Sequence, residues 1–166
     1  MQLQDFYDYK NRLMEDLLTH ESIVSLINGS VDIKDAKTLA YTQVFPCEYV
    51  PETIQDGYTY VCFDVDVQGV SNKLLLNPTL YIWVFTHRSN LRLPDGGGVR
   101  TDKLCSEICK VINGSRYYGL GELNLYSVKR FAPITDYQGK VMTFTAREFN
   151  RQFDGNKSTP TNRKNQ

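Results

Sequence analysis

Two histidines, one tryptophan and four cysteines are all that this chain of 166 residues offers of the side chains most often used in metal and nucleophilic chemistry. Cys47, Cys62, Cys105 and Cys109 lack the even, close spacing of a disulfide framework. Nor does the start, Met-Gln-Leu-Gln-Asp-Phe-Tyr-Asp, carry the basic and apolar regions of a leader, so the expected setting is a reducing compartment. Charge of either sign is not in excess: 19 Lys+Arg stand against 19 Asp+Glu, which argues against a dedicated nucleic-acid binder. The longest apolar run, Leu80 to Phe85, is six residues, whereas a bilayer span needs about 20. No membrane segment is expected.

What the chain does have is period. Residues 5 to 18 place Phe6, Tyr9, Leu13, Leu17 and Met14, Leu18 at spacings of three and four, the stripe of an amphipathic helix. Thr19 offers an N-cap for a second helix with Ile23, Val24, Leu26 and Ile27, ending at Asn28-Gly29. Val31 to Gln55 reads as a long loop with one short edge strand, Tyr41 to Phe45. Tyr60 to Val67 alternates strictly, with Val61, Phe63, Val65 and Val67 on one face and Tyr60, Cys62, Asp64 and Asp66 on the other.

Residues 79 to 86 are apolar on both faces, which predicts a central strand covered twice. The candidate cover for the second face is a helix over Thr101 to Asn113, striped with Leu104, Ile108, Val111 and Ile112. Glu122 to Arg130 and Lys140 to Ala146 read as a hairpin around a turn containing Asp136-Tyr137-Gln138-Gly139. The expected fold is a single α+β domain over residues 1 to 149, a mostly antiparallel sheet with helices packed on it. Residues 150 to 166 read as a flexible polar tail, where four basic side chains and Asp154 give a charge of +3.

No motif carries a reaction. Asp64 and Asp66, with Glu48 or Glu52, are the one set that could hold Mg2+ for nuclease-type chemistry, but such spacing on a polar strand face is more often a solvated surface or a subunit contact. Cys105 and Cys109 lie beside Leu104 and Ile108 and read as small buried hydrophobes rather than zinc ligands. His20 and His87 lack a nucleophile motif, and the Gly96-Gly97-Gly98 loop does not match a P-loop. Neither a catalytic residue, a metal nor a cofactor is expected. Arg88, Arg92 and Arg100 bracket that loop and read equally as a solvated basic loop or as ion-pair donors to a neighbouring subunit. Asn28-Gly-Ser and Asn113-Gly-Ser read as helix C-caps, and Tyr117, Tyr118, Tyr126 and Tyr137 as contact residues or core.

Tyr81-Ile-Trp-Val-Phe-Thr-His-Arg88, then Gly98-Val-Arg-Thr-Asp102, Gly119-Leu-Gly-Glu122, Arg130-Phe-Ala-Pro133 and Val141 to Phe149, together with the element order, resemble small neck and tail-completion proteins of tailed phages and prophages. The closest architectural match is the tail terminator family, over about residues 1 to 150. The resemblance implies a sheet with its helices on one side and six copies in a ring that caps the tail tube and joins the head connector. It implies as partners the chain itself, the tail tube protein and a connector or stopper protein, with DNA passing through the ring unread. The setting would be the virion neck, and the host cytoplasm during assembly. On this resemblance Asp64, Asp66, Arg88, Arg92, Arg100 and Tyr126 are the expected interface residues, with Arg100 of one subunit paired to Asp64 of the next. The alternatives are a head-completion or connector-stopper protein and, from a different class, a metal-dependent nuclease using Asp64 and Asp66.

Overall fold

A computed structural model describes residues 4–28, 33–52, 57–69 and 75–149. Helix α1 spans Gln4–Thr19 and α2 spans Glu21–Asn28. The α1 stripe is buried as its period requires: Tyr9, Leu13 and Leu17 have no solvent exposure. Thr19 is not the cap of α2, because its hydroxyl turns back to donate to Glu15 O at 2.9 Å. His20 takes the capping position instead, its carbonyl accepting from the N–H groups of Ile23 and Val24. Gly29, the expected C-cap, lies outside the described residues.

The long loop contains a 3-10 turn, Ile33–Leu39. The edge strand that follows, β1, is only Val44–Phe45. Tyr41 explains its shortness: a φ of 59° bends the chain so that its N–H reaches Val44 O, and an extended strand cannot pass through that angle.

Strands β2 (Thr59–Gly69), β3 (Leu75–His87), β4 (Asn124–Phe131), β5 (Tyr137–Thr145) and β6 (Glu148–Phe149) complete a six-stranded sheet in the order β1-β2-β3-β5-β4, with β6 beside the start of β3. Among the described strand pairs only β1–β2 is parallel. The chain is thus the α+β domain expected. Strand β3 is central, as its double apolar pattern requires, and runs back through Pro78. A proline is tolerated there because β5 ends at Thr145, opposite Thr79, so its missing N–H breaks no ladder bond.

Helix α3 spans Arg100–Ile112 and does not cover the second face of β3. The three described helices all pack on one face, where Leu13, Ile23, Leu104 and Ile108 meet Val61, Ile82, Val84 and Met142. The other face is covered at one end by a separate aromatic cluster, in which Tyr60, Cys62, Phe85 and Tyr137 are buried beneath Phe45, Tyr49, Trp83 and Phe131. Phe45 and Tyr49 stack with ring centroids 3.9 Å apart, and Phe85 meets Tyr137 edge-on at 5.7 Å. Large side chains of the strands themselves, with Tyr49 and Ile134 from loops and no described helix, therefore close that side, and the apolar run of β3 does not distinguish this from a helical cover.

Strand β5 begins at Tyr137, so Tyr137, Gln138 and Gly139 belong to the strand and not to the turn. Helix α3 ends as its sequence predicts: Asn113 N–H donates to Cys109 O, and Gly114 follows at a φ of 78°.

Candidate functional site

The residues singled out from sequence do not gather in one cleft. Asp64 lies where β1 has ended and β2 becomes an edge. Its carboxylate accepts from Tyr9 Oη at 3.1 Å and from Val65 N–H at 2.9 Å, and pairs with Lys10 Nζ at 3.2 Å. Burial, reinforced by the Asp64 charge, raises the Tyr9 phenol above its ordinary range, which keeps that hydroxyl a donor. Asp66 lies two residues on along the same edge and is exposed. Among the described residues no group of three His, Cys, Asp or Glu side chains is placed to hold a metal ion.

The three arginines separate. Arg88 is exposed and pairs with Asp136 at 3.2 Å. Arg92 is exposed on a short hairpin closed by a bridge between Arg92 and Val99 and by Leu93 N–H to Gly98 O at 3.0 Å. The glycine loop is thus a structured hairpin, in which Asp95 Oδ1 accepts Gly97 N–H at 2.8 Å. Arg100 is buried, 6% exposed, and donates from Nε to Asn90 O and from Nη1 to Leu26 O, each at 2.9 Å. It binds parts of its own chain together, so the expected Arg100–Asp64 contact between subunits has no exposed arginine to make it.

His87 ends β3, and its Nδ1 lies 2.7 Å from Ser89 Oγ. Cys62 and Cys105 are buried, which pushes each thiol up to about 12, while Cys47 is exposed. A thiol reagent at pH 8 is therefore expected to modify Cys47 first and to reach Cys62 and Cys105 only in denaturant, as peptide mapping by mass spectrometry would show. Rapid labelling of Cys105 in the folded chain would contradict its packing.

Sequence reading placed only Tyr126 on what proves the most open element. Strand β4 closes the sheet on the side opposite β1, and six of its eight residues are exposed. Tyr126 is 74% exposed at an irregularity where the register shifts between Leu125 and Ser127. On the helix side the three helices stop short of β4. That leaves a groove of about 630 Å³ between α3 and the outer strands, lined by Cys105, Cys109, Leu125, Val128, Lys140 and Met142. Lys129 and Arg130 had no signal of their own in the sequence, because a basic pair on an alternating strand is ordinary until its strand is known to be an edge.

Ladder geometry shows which backbone groups these edges present. Val61 N–H donates to Gln43 O at 2.8 Å, on the β1 side of β2. Alternation then turns the N–H and C=O groups of Phe63, Val65 and Val67 the same way, beyond the end of β1. Carried through the pairs Val61↔Val84, Val84↔Lys140 and Lys129↔Val141, the same alternation directs the backbone groups of Val128 and Arg130 away from the sheet. Both sides of the sheet thus carry outward-facing hydrogen-bonding groups, which is the chemistry of strand addition.

A family model, YomW, matches residues 7–146. The chain belongs to the YomW family. That name is one of a Bacillus prophage family, which makes the protein phage-related. No curated protein matches the chain. In this YomW-family chain the match runs from α1 through the end of β5, so it takes in both sheet edges and the groove. No described helix is long and apolar enough to cross a membrane.

Proposed function

We propose that this protein is a structural virion assembly protein, a tail terminator whose six copies close into a ring that caps the tail tube and joins it to the head connector. The observation that carries the reading is the sheet itself: the described helices all on one face, and a strand β4 that leaves Leu125, Tyr126 and Val128 exposed along an open edge. Phage origin and the order of elements support it. A ring of this kind needs two different flanks complementary to each other around a closed cyclic symmetry, not a reaction centre. In this reading DNA passes through the ring without being read, and the protein resides in the virion neck after assembly in the host cytoplasm.

Light scattering across a wide concentration range, alone and with tail tubes, tests the reading. The expected mass is about 115 kDa for six copies of a 19.1 kDa chain, with tubes of uniform length in electron micrographs. Binding to the portal side with twelvefold symmetry would replace the terminator by a connector or stopper protein. Mg2+-dependent cleavage of DNA, lost in Asp64→Asn, would replace it by the nuclease.

A further inference from the structure

The two edges of the sheet differ in charge as well as position. The outer half of β2, Phe63 to Gly69, carries Asp64 and Asp66 and no basic residue, whereas β4 carries Lys129 and Arg130 and no acidic one. We propose that the seam of the ring is a β-sheet continued between copies, with β4 of one protomer pairing to the outer half of β2 in the next. This rests on the ring reading and names the surface through which that ring would close.

Three features of the fold agree with this partner. The first is direction: β2, β3, β5 and β4 are antiparallel at each step, so β4 runs opposite to β2. A neighbour related by rotation about a ring axis therefore presents its β2 antiparallel to β4, with its helices on the same side. The second is facing. Val65 and Val67 lie on the helix side with Leu125 and Val128, the latter two on the wall of the groove. Asp66 lies on the opposite face, as does Lys129, since register places Asp66 beside Thr79, Thr79 beside Thr145, and Lys129 beside Val141; Asp64 shares that face by alternation, but its carboxylate turns round the edge to Tyr9 and Lys10 of α1. Apolar groups meet apolar groups and a carboxylate meets the ammonium in one arrangement. The third is how the edges are kept apart in the free chain. Asp64, held also by Tyr9 Oη and Lys10 Nζ, accepts the outward Val65 N–H at 2.9 Å and so blunts that edge; in the seam Val65 N–H takes a β4 carbonyl, Asp64 keeps its partners on α1, and Asp66 is the carboxylate that meets Lys129.

A seam between two different edges makes an unusual demand on variants. Lys129→Glu alone places like charges at every seam, and so does Asp66→Lys alone. Each is expected to raise the concentration for half-assembly at least tenfold, read by light scattering of the full chain with and without tail tubes. Mixed in equal amounts, the two variants are expected to co-assemble as the wild type does, because an alternating ring of six opposes unlike charges at all seams. Val128→Pro removes an outward N–H that no partner strand uses within the protomer; it is expected to melt near the wild type yet assemble poorly, and a misfolded product leaves the charge pair as the test.

A hexamer that persists unchanged through all these variants would overturn the seam and leave the ring reading standing. Single variants that weaken assembly but do not complement in the mixture would also overturn it. A wild-type chain that stays monomeric both alone and on tubes would overturn seam and ring together.

Discussion

Gly139→Ala is expected to lower stability by about 3 kcal/mol, which for a chain of this size lowers the melting temperature by roughly 6–12 °C. Gly139 sits on β5 directly opposite Phe85 of the central strand. A Cβ there would collide with Val84 O and would lie 2.7 Å from Phe85 Cα and from its Cβ. These are mostly backbone atoms of the most enclosed strand in the sheet, so no side chain can swing aside to make room. Strand β5 would have to draw away from β3 where Phe85, Tyr60 and Tyr137 fill the aromatic cluster. Thermal unfolding followed by circular dichroism checks this, and a midpoint within about 2 °C of the wild type would show that the strands separate at little cost.

Removing the Arg100 guanidinium is the second large effect. Arg100→Leu retains part of the apolar stem but strands two carbonyls, and is expected to cost about 2–4 kcal/mol in denaturant titrations. Leu26 lies in the last turn of α2, where carbonyls have no helical partner, and a cation there also meets the negative end of the helix dipole. Asn90 ends the short turn after β3. One side chain on the first turn of α3 thus ties the end of α2 to the end of the central strand. Arg100→Lys, with a single ammonium in place of the fork, is expected to fall between wild type and leucine. If Arg100 instead made a subunit contact, its loss would change assembly and leave the melting of the protomer alone.

The helices were legible because their signal is local. Tyr9, Leu13 and Leu17, or Leu104, Ile108 and Ile112, are core residues wherever the helix that carries them packs. Strand β2 was legible for the same reason. Strand boundaries near Gly139 were not: Asp136-Tyr137-Gln138-Gly139 has turn composition, yet Gly139 is required by the closeness of Phe85 and not by a left-handed φ. Thr19 and Tyr41 misled in a similar way, since a hydroxyl can donate backwards as readily as cap forwards and a tyrosine gives no sign that it turns the chain.

The candidate surface was less legible than the fold. Asp64 and Asp66 were singled out as carboxylates on the polar face of an alternating strand and Tyr126 as one of several tyrosines around the C-terminal strands; the structure places them along the two edges of the sheet. Arg100 was grouped with Arg88 and Arg92 because adjacency in sequence is all that one dimension provides, and only packing puts it inside. By itself the sequence determined an α+β chain with amphipathic helices, an alternating strand and a doubly apolar one, because periodicity and side-chain size act over a few residues. Tertiary structure decided that the described helices share one face, that strand aromatics with Tyr49 and Ile134 cover part of the other, and that the acidic and basic strands lie at opposite edges. The physical reason is strand order: which strands become edges depends on pairing between residues as far apart in the chain as Ile82 and Met142, and no local pattern encodes it.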